Sequence, residues 1–400
     1  MIFTTFWFLF FVVAFCIIYW AFPSRLGRSL LLAAANVVFY VHFAGLASLA
    51  PIVILALIAF LCGRAKRNIY IYVGLGLSIC TLLFYKYTAF VMHNLAHAIP
   101  SLQSYSPARL VPVVVPLGIS FFVFEFVHYL ADVKAGSKPI ENPLDFLNFG
   151  MFFPTLVAGP IKRYEQFLPA LNKSLSAKMA AAGDLQQGLL RIASGFAKKF
   201  VADNISFYLA AVVPSFSSQT LLTRWIIFAG IAFRVYFDFS GYSDMAIGVA
   251  RMMGIVVPEN FRWPYISTNI TEFWRRWHIS LSTWIRDYLF YPLGGNWTGG
   301  KIRQSFNLLL AFTLCGLWHG AAWNFVLWGL YHGIGMIAHR LFTSIPWPWR
   351  TVRIWTATEV RLSLIAIKWA LTTFFVWAGW LLFFYPPRQA LALLVGLFNE

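Results

Sequence analysis

Charge is what this sequence has least of. Only 11% of its 400 residues are Asp, Glu, Lys or Arg, while 60% are hydrophobic; soluble domains average about 25% charged. That balance excludes an ordinary soluble globular domain and reads as a polytopic membrane protein. Acidic residues are scarcest, 14 against 31 basic ones, for a net charge of +17. The basic excess sits in short loops between apolar runs, so a membrane surface accounts for it better than nucleic acid does. Cysteine is equally thin. Cys16, Cys62, Cys80 and Cys315 all lie in apolar runs without metal-ligand spacing, as packing residues do, so neither a disulfide framework nor a metal site is expected. The first 22 residues lack both a basic leader and a small-residue cleavage site, so Met1 to Phe22 reads as a retained helix and not as a signal peptide. Repeats of about 20–50 residues, low-complexity tracts and the inverted repeats of many transporters are missing too.

What is there instead is a series of apolar segments at 2–22, 29–43, 49–62, 69–90 and 111–131, each near bilayer-spanning length. The loops after the first, third and fifth carry Arg25 and Arg28, then Arg64, Lys66 and Arg67, then Lys134 and Lys138. Positive charge on the inner side puts the N-terminus outside and 132–140 in the cytoplasm. Residues 145–158 are too short for a span and suggest a re-entrant or interfacial piece beside a cavity, since non-helical backbone survives at membrane depth only inside protein or along a cavity. A polar linker is expected over 171–188, helices over 189–213 and 222–253, and apolar runs over 304–341 and 361–385. The economical organisation is one helical domain over 1–400, with a catalytic core at about 111–341.

Two clusters of polar residues stand out between Pro258 and His332, and ionisable residues at membrane depth are functional candidates by default. In the first, Thr268, Asn269 and Glu272 have the spacing of a capping box and predict a helix start. Continued as one helix, Trp274, Trp277, His278, Leu281 and Ile285 share one face, with Glu272, Arg275, Arg276 and Arg286 mostly opposite. An interfacial helix explains the arginines. It leaves His278 open between a packing role and a chemical one. In the second cluster, Gly316-Leu-Trp-His319-Gly, a helix entering near Gln304 carries His319 roughly 22 Å deep, well within a hydrocarbon core of about 30 Å. Burial disfavours the charged imidazolium and leaves the neutral ring with a free lone pair, the state of a general base, although a core histidine bonded to a carbonyl has the same pattern. Gly316 and Gly320 form a small surface for another backbone or a thin substrate arm. His332, 13 residues further on, falls about 20 Å along a continuous helix and on its opposite side, so it shares no site with His319 unless the helix breaks.

The runs Tyr236-Phe-Asp-Phe-Ser-Gly-Tyr-Ser-Asp, Asn260-Phe, Pro264-Tyr-Ile-Ser, Glu272-Phe-Trp-Arg-Arg-Trp-His, Pro292-Leu-Gly-Gly-Asn and Gly316-Leu-Trp-His-Gly together resemble the membrane-bound O-acyltransferase family. The similarity extends from the first helix through Pro116-Leu-Gly-Ile-Ser-Phe and Ala158-Gly-Pro to about Gly396. It is nearest the branch that acetylates alginate-type polysaccharide, with the branch that transfers D-alanine to teichoic acid close by. The end at Glu400 is closer to the second branch in length. The resemblance implies an all-α fold in which a ring of roughly ten to twelve transmembrane and re-entrant helices encloses a central tunnel. It puts the family's two histidines on His319 and His278, and makes Asn269, Trp274, Trp277, Ser282, Gly316, Trp318, Gly320 and Asn324 lining or supporting residues.

From this follow the expected chemistry and partners. An acyl thioester arriving from the cytoplasm, as acetyl-CoA or on the pantetheine of a carrier protein, meets a hydroxyl acceptor from outside. His319 serves as base, His278 orients it or stabilises the carbonyl oxygen, and Arg262, Arg275, Arg276 and Lys301 form the donor's rim. No cofactor or metal is required. No hydrolase-type triad is present, so a partner protein outside the membrane is expected to complete transfer to a polysaccharide, with this chain in the bacterial inner membrane and nucleic acid playing no part. A metabolite channel with a histidine proton relay is the competing class, and a scaffold for an export complex is a further one.

Overall fold

The computed structural model describes residues 2–99, 115–295, 299–345 and 358–399, and no strand occurs among them. Helix accounts for 80% of the structure. Sixteen α-helices follow one another: α1 (Phe6–Ala21), α2 (Arg25–Ala44), α3 (Leu46–Ala65), α4 (Asn68–Leu82), α5 (Thr88–Ala98), α6 (Ile119–Lys134), α7 (Pro143–Gly150), α8 (Tyr164–Ser176), α9 (Ala182–Val212), α10 (Leu221–Met252), α11 (Ile270–Arg276), α12 (Ile279–Ile285), α13 (Gly300–His319), α14 (Trp323–Ser344), α15 (Thr358–Phe384) and α16 (Pro387–Val395). Among the described residues, five stretches are long and apolar enough to cross a membrane: Arg25–Ala44, Leu46–Ala65, Asn68–Ala98, Ala182–Ser218 and Leu362–Phe384. The chain is an all-α polytopic membrane protein.

Side-chain oxygens at the helix starts show why the elements begin where they do. Thr5 accepts from the Phe8 amide at 3.2 Å, Ser24 from Gly27 at 3.0 Å, and Asn142 from Leu144 at 2.9 Å just before Pro143. Each satisfies an otherwise orphan first-turn donor. On α1 both faces are apolar: Phe8, Val12, Phe15 and Tyr19 are buried, while Phe6, Phe10 and Ile17 stay exposed. A helix hydrophobic all round suits lipid on its open side.

The chain packs into two compact units. The first comprises 1–197 and 241–258, the second 198–240 and 259–400. In the first, α1 to α4 and α6 to α8 enclose an aromatic core around Phe39, Phe122, Phe126, Phe149 and Phe153. The segment after α7 is non-helical yet buried, from Met151 to Leu156. Asn36 Oδ1 accepts the Phe153 amide at 3.0 Å, so this backbone is satisfied by protein, as membrane depth demands. The second unit has its own core of Trp274, Trp277, Trp328, Val376 and Trp380.

Several sequence expectations need correction. The linker expected over 171–188 is mostly helix, since α8 runs to Ser176 and α9 starts at Ala182. Its polar residues cover an amphipathic face of α8 whose buried side is Phe167, Leu171 and Leu175. The segment 69–90 extends to Ala98 through a π-turn at Leu83–Tyr87. The run 304–341 is two helices, and the helix proposed across 269–286 breaks in its middle. Positions 111–114, the start of the fifth segment and of the expected core, lie outside the described residues.

Candidate active site

The first cluster folds as a capped, interrupted helix. Asn269 Oδ1 accepts from the Glu272 amide at 2.8 Å, and the Glu272 carboxylate reaches back to the Thr268 amide at 3.0 Å, closing the box. The Thr268 amide, and then Arg276, hold the Glu272 carboxyl below the usual carboxylate range. After about two turns the helix stops. Trp277 is extended and His278 adopts left-handed φ 43°, ψ 53° before α12 begins. The cause is Asn260, which is fully buried. Its carbonyl accepts the Ile279 amide at 2.9 Å, and its side-chain oxygen takes the Ser280 hydroxyl at 2.6 Å, while the Arg262 amide donates to Arg276 O at 2.9 Å. These bonds from 260–262 replace helical ones and outweigh a left-handed histidine, a strain of about 1–3 kcal/mol.

The break aims His278 inward. Its ring is 2% exposed, lies 4.6 Å from the Phe239 ring, and its buried Nδ1 has no hydrogen-bond partner. Ser282 ties the turn down through its amide to His278 O at 2.9 Å and its hydroxyl to Trp277 O at 3.2 Å. Trp318 stands between the two histidines, 6.4 Å from His278 and 4.8 Å from His319, ring centre to ring centre. The sequence pair is therefore assembled around one indole.

His319 is the last residue of α13. Gly320 is extended at φ −165°, and α14 starts three residues later, so the two helices form a tight hairpin. A Cβ on Gly316 would stand 2.2 Å from Phe325 O, and one on Gly320 2.2 Å from the Phe325 ring. The small surface is thus filled by α14 itself, and the substrate-arm alternative considered for it does not hold. The same break overturns the exclusion of His332. Trp328 packs its ring 5.2 Å from His319 and 4.8 Å from His332, and Trp274 lies 5.2 Å from His332 on another side. His332 is fully buried, and neither ring nitrogen has a hydrogen-bond partner. Asn324 Nδ2 donates to Phe383 O at 3.4 Å, joining the tip of the hairpin to α15, and Phe383 lies 5.1 Å from the His319 ring.

A cavity of about 810 Å³ touches Ile279, which follows His278, and Cys315, four residues before His319, but neither histidine lines it. Trp274, Leu308, Ala311, Phe312, Cys315 and Met336 line its apolar part, and Arg275, Arg286, His339, Arg340 and Thr343 its polar part. Cys315 precedes His319 by four residues, one helical turn or about 6 Å along the axis. Arg275 is exposed, with no ion-pair partner among the described residues. Of the other rim candidates, Arg276 is bound to Glu272 at 2.8 Å, and the exposed Arg262 and Lys301 do not line the cavity. Arg286, His339 and Arg340 went unpredicted as site residues, because only the packing of distant segments around α13 and α14 gathers them.

Comparison with known proteins shows which sequences this chain is similar to. A profile of the membrane-bound O-acyltransferase family matches residues 3–385. The chain is 39% identical over 312 residues to the probable alginate O-acetylase of Pseudomonas syringae pv. tomato, covering 78% of this chain and 56% of that protein. It is 37% identical to the Azotobacter vinelandii counterpart over 96% of this chain and 75% of the relative. The teichoic acid D-alanyltransferase of Bacillus subtilis is 32% identical over 84% of this chain and 83% of the relative. The chain therefore spans little more than half the length of the Pseudomonas relative.

Proposed function

This chain belongs to the membrane-bound O-acyltransferase family, and we propose that it moves an acyl group, preferably acetyl, from a cytoplasmic thioester to a hydroxyl on the outer side. The observation that carries this reading is the pair His278 and His319 around Trp318, one turn beyond a cavity with an arginine-lined polar part.

A thioester is already activated, so the enzyme must position it, remove the hydroxyl proton as attack begins, and exclude water. His319 takes that proton. The hydroxyl oxygen forms the new ester bond as the C–S bond breaks, and the proton leaves with the thiolate sulfur, so no net charge is left behind. His278, held by its strained turn, orients the base or the carbonyl oxygen. Arg275, Arg286 and Arg340 suit donor phosphates, which arginine pairs well. The preferred donor is acetyl-CoA and the preferred product an O-acetylated exported or cell-surface polysaccharide, with a partner protein outside the membrane taking the acyl group onward. The bacterial inner membrane is the site where these substrates meet.

Similarity along 83% of the Bacillus subtilis D-alanyltransferase favours a second reading, D-alanyl transfer from a carrier protein towards teichoic acid or another envelope polymer. Purified protein given labelled acetyl-CoA, with and without an aminoacyl-loaded carrier, separates the two. Thioester loss from free acetyl-CoA supports acetyl transfer; strict dependence on the carrier establishes the second reading, and inertness towards both rules out transfer.

A further inference from the structure

Helix α5 closes the long apolar segment Asn68–Ala98 and buries none of its side chains. It is reached through the π-turn at Leu83–Tyr87, which Lys86 ties to α6 by donating to Ser120 Oγ at 3.1 Å. A helix without a buried face takes little stability from packing. On this one His93 and His97 stand four residues apart, both exposed, with ring centres 4.7 Å from each other and ring planes at 79°. No hydrogen bond or ion pair engages either ring among the described residues. For helix stability alone the pair is a poor choice, because histidine is a weak helix former and like charges four residues apart repel when both rings are protonated. A cation between two neutral rings reverses that sign.

We propose that His93 and His97 together bind a divalent transition-metal ion of the copper(II) or nickel(II) kind at the extracytoplasmic face, and that the ion clips the last turns of α5. The spacing carries the choice of metal. With a metal–imidazole bond of about 2.0–2.1 Å and about 1.2 Å from nitrogen to ring centre, two ligands at 90° hold their ring centres about 4.6 Å apart, and a tetrahedral pair about 5.3 Å. The 4.7 Å here matches the right-angled pair of a tetragonal ion and falls short of tetrahedral zinc. Turning a ring about its Cβ–Cγ bond aims its nitrogens while leaving its centre nearly in place, and water completes the coordination. The location admits the ion as well. Arg64, Lys66 and Arg67 precede this segment in a loop that charge bias assigns to the cytoplasm. His93 lies 25 residues past Asn68, or about 38 Å along the axis, beyond a hydrocarbon core of about 30 Å.

The test reads metal binding, not acyl transfer, so it stands apart from the reading above. Full-length protein without an affinity tag, in detergent, is titrated with copper(II) chloride by calorimetry, and amide hydrogen exchange over 88–98 is compared with and without the metal. His93→Asn and His97→Asn are the variants; both side chains are exposed, so neither change threatens the fold. Wild-type protein is expected to bind saturably, to show two nitrogen ligands by electron paramagnetic resonance, and to exchange several-fold more slowly over 88–98, with EDTA reversing the gain. Each variant should bind about tenfold to hundredfold more weakly and gain no protection, because its one remaining ligand has no helix-held second to act at high effective concentration. Variants that bind like wild type, or copper binding that leaves exchange over 88–98 unchanged, overturn the proposal.

Discussion

Two buried polar clusters in this protein are built on opposite principles. In the first unit, Asn148 donates to Ser29 O and Ser29 Oγ at 3.0 Å each, Asn36 donates to Asn148 Oδ1 at 3.2 Å, and Asn36 Oδ1 accepts the Phe153 amide. Both amides are spent on holding α2 against α7 and the segment after it. In the second unit, His278 Nδ1 and both nitrogens of His332 are buried with nothing to bond. A satisfied network fixes structure. An unsatisfied one costs stability, and the cost makes sense where a reacting group is to arrive.

Substitutions can break that contrast. The largest expected effect is His319→Ala, which should reduce acyl transfer by roughly 10³-fold while the protein inserts, purifies and melts normally; a variant with full turnover removes the assigned base. Next, His278→Ala should cost about 10²-fold, and the double histidine variant should lose little beyond the worse single one, because groups acting as a unit are non-additive. Losses that multiply would show two independent roles.

Asparagines at the two clusters sharpen the comparison further. Asn148→Ala should lower stability by about 1–3 kcal/mol, read as a lower melting temperature, with turnover per folded molecule unchanged. Asn260→Ala releases the turn at His278, so kcat should fall about tenfold with the donor KM kept. If the two variants behave alike, the difference between the two clusters is only apparent. The smallest effects are expected at the surface. Arg275→Gln should raise the donor KM several-fold and weaken its salt dependence. Arg276→Gln removes one half-buried i,i+4 pair with Glu272, about 0.5 kcal/mol, and should leave kinetics alone.

Much of this was legible in the sequence because it is local. The capping box at Thr268 to Glu272 is a matter of spacing, and so are the apolar runs of α1 to α4. The two histidines were legible because charge-bearing rings are conspicuous in an apolar chain. What escaped depends on partners distant along the chain. The break at His278 is imposed by Asn260, 18 residues earlier, and no periodicity within 269–286 reports it. The turn after His319 was hidden in the same way: Gly316 and Gly320 announced a close approach, but only the hairpin shows that α14 makes it. With the helix taken as continuous, His332 pointed away; with the chain reversed at Gly320, it comes to share Trp328 with His319. Arg286 and Arg340 are ordinary surface arginines until two helices bring them to one cavity.

The left-handed turn at His278 has a consequence for anyone evolving this protein. Asparagine is one of the few non-glycine residues that visit that backbone region routinely, so His278→Asn should keep the loop, yet its amide cannot take the place of the imidazole that orients His319. Directed evolution scored on heat resistance alone would therefore drift towards a hardier and slower catalyst at this position, and only a screen that also demands turnover would hold the histidine in place.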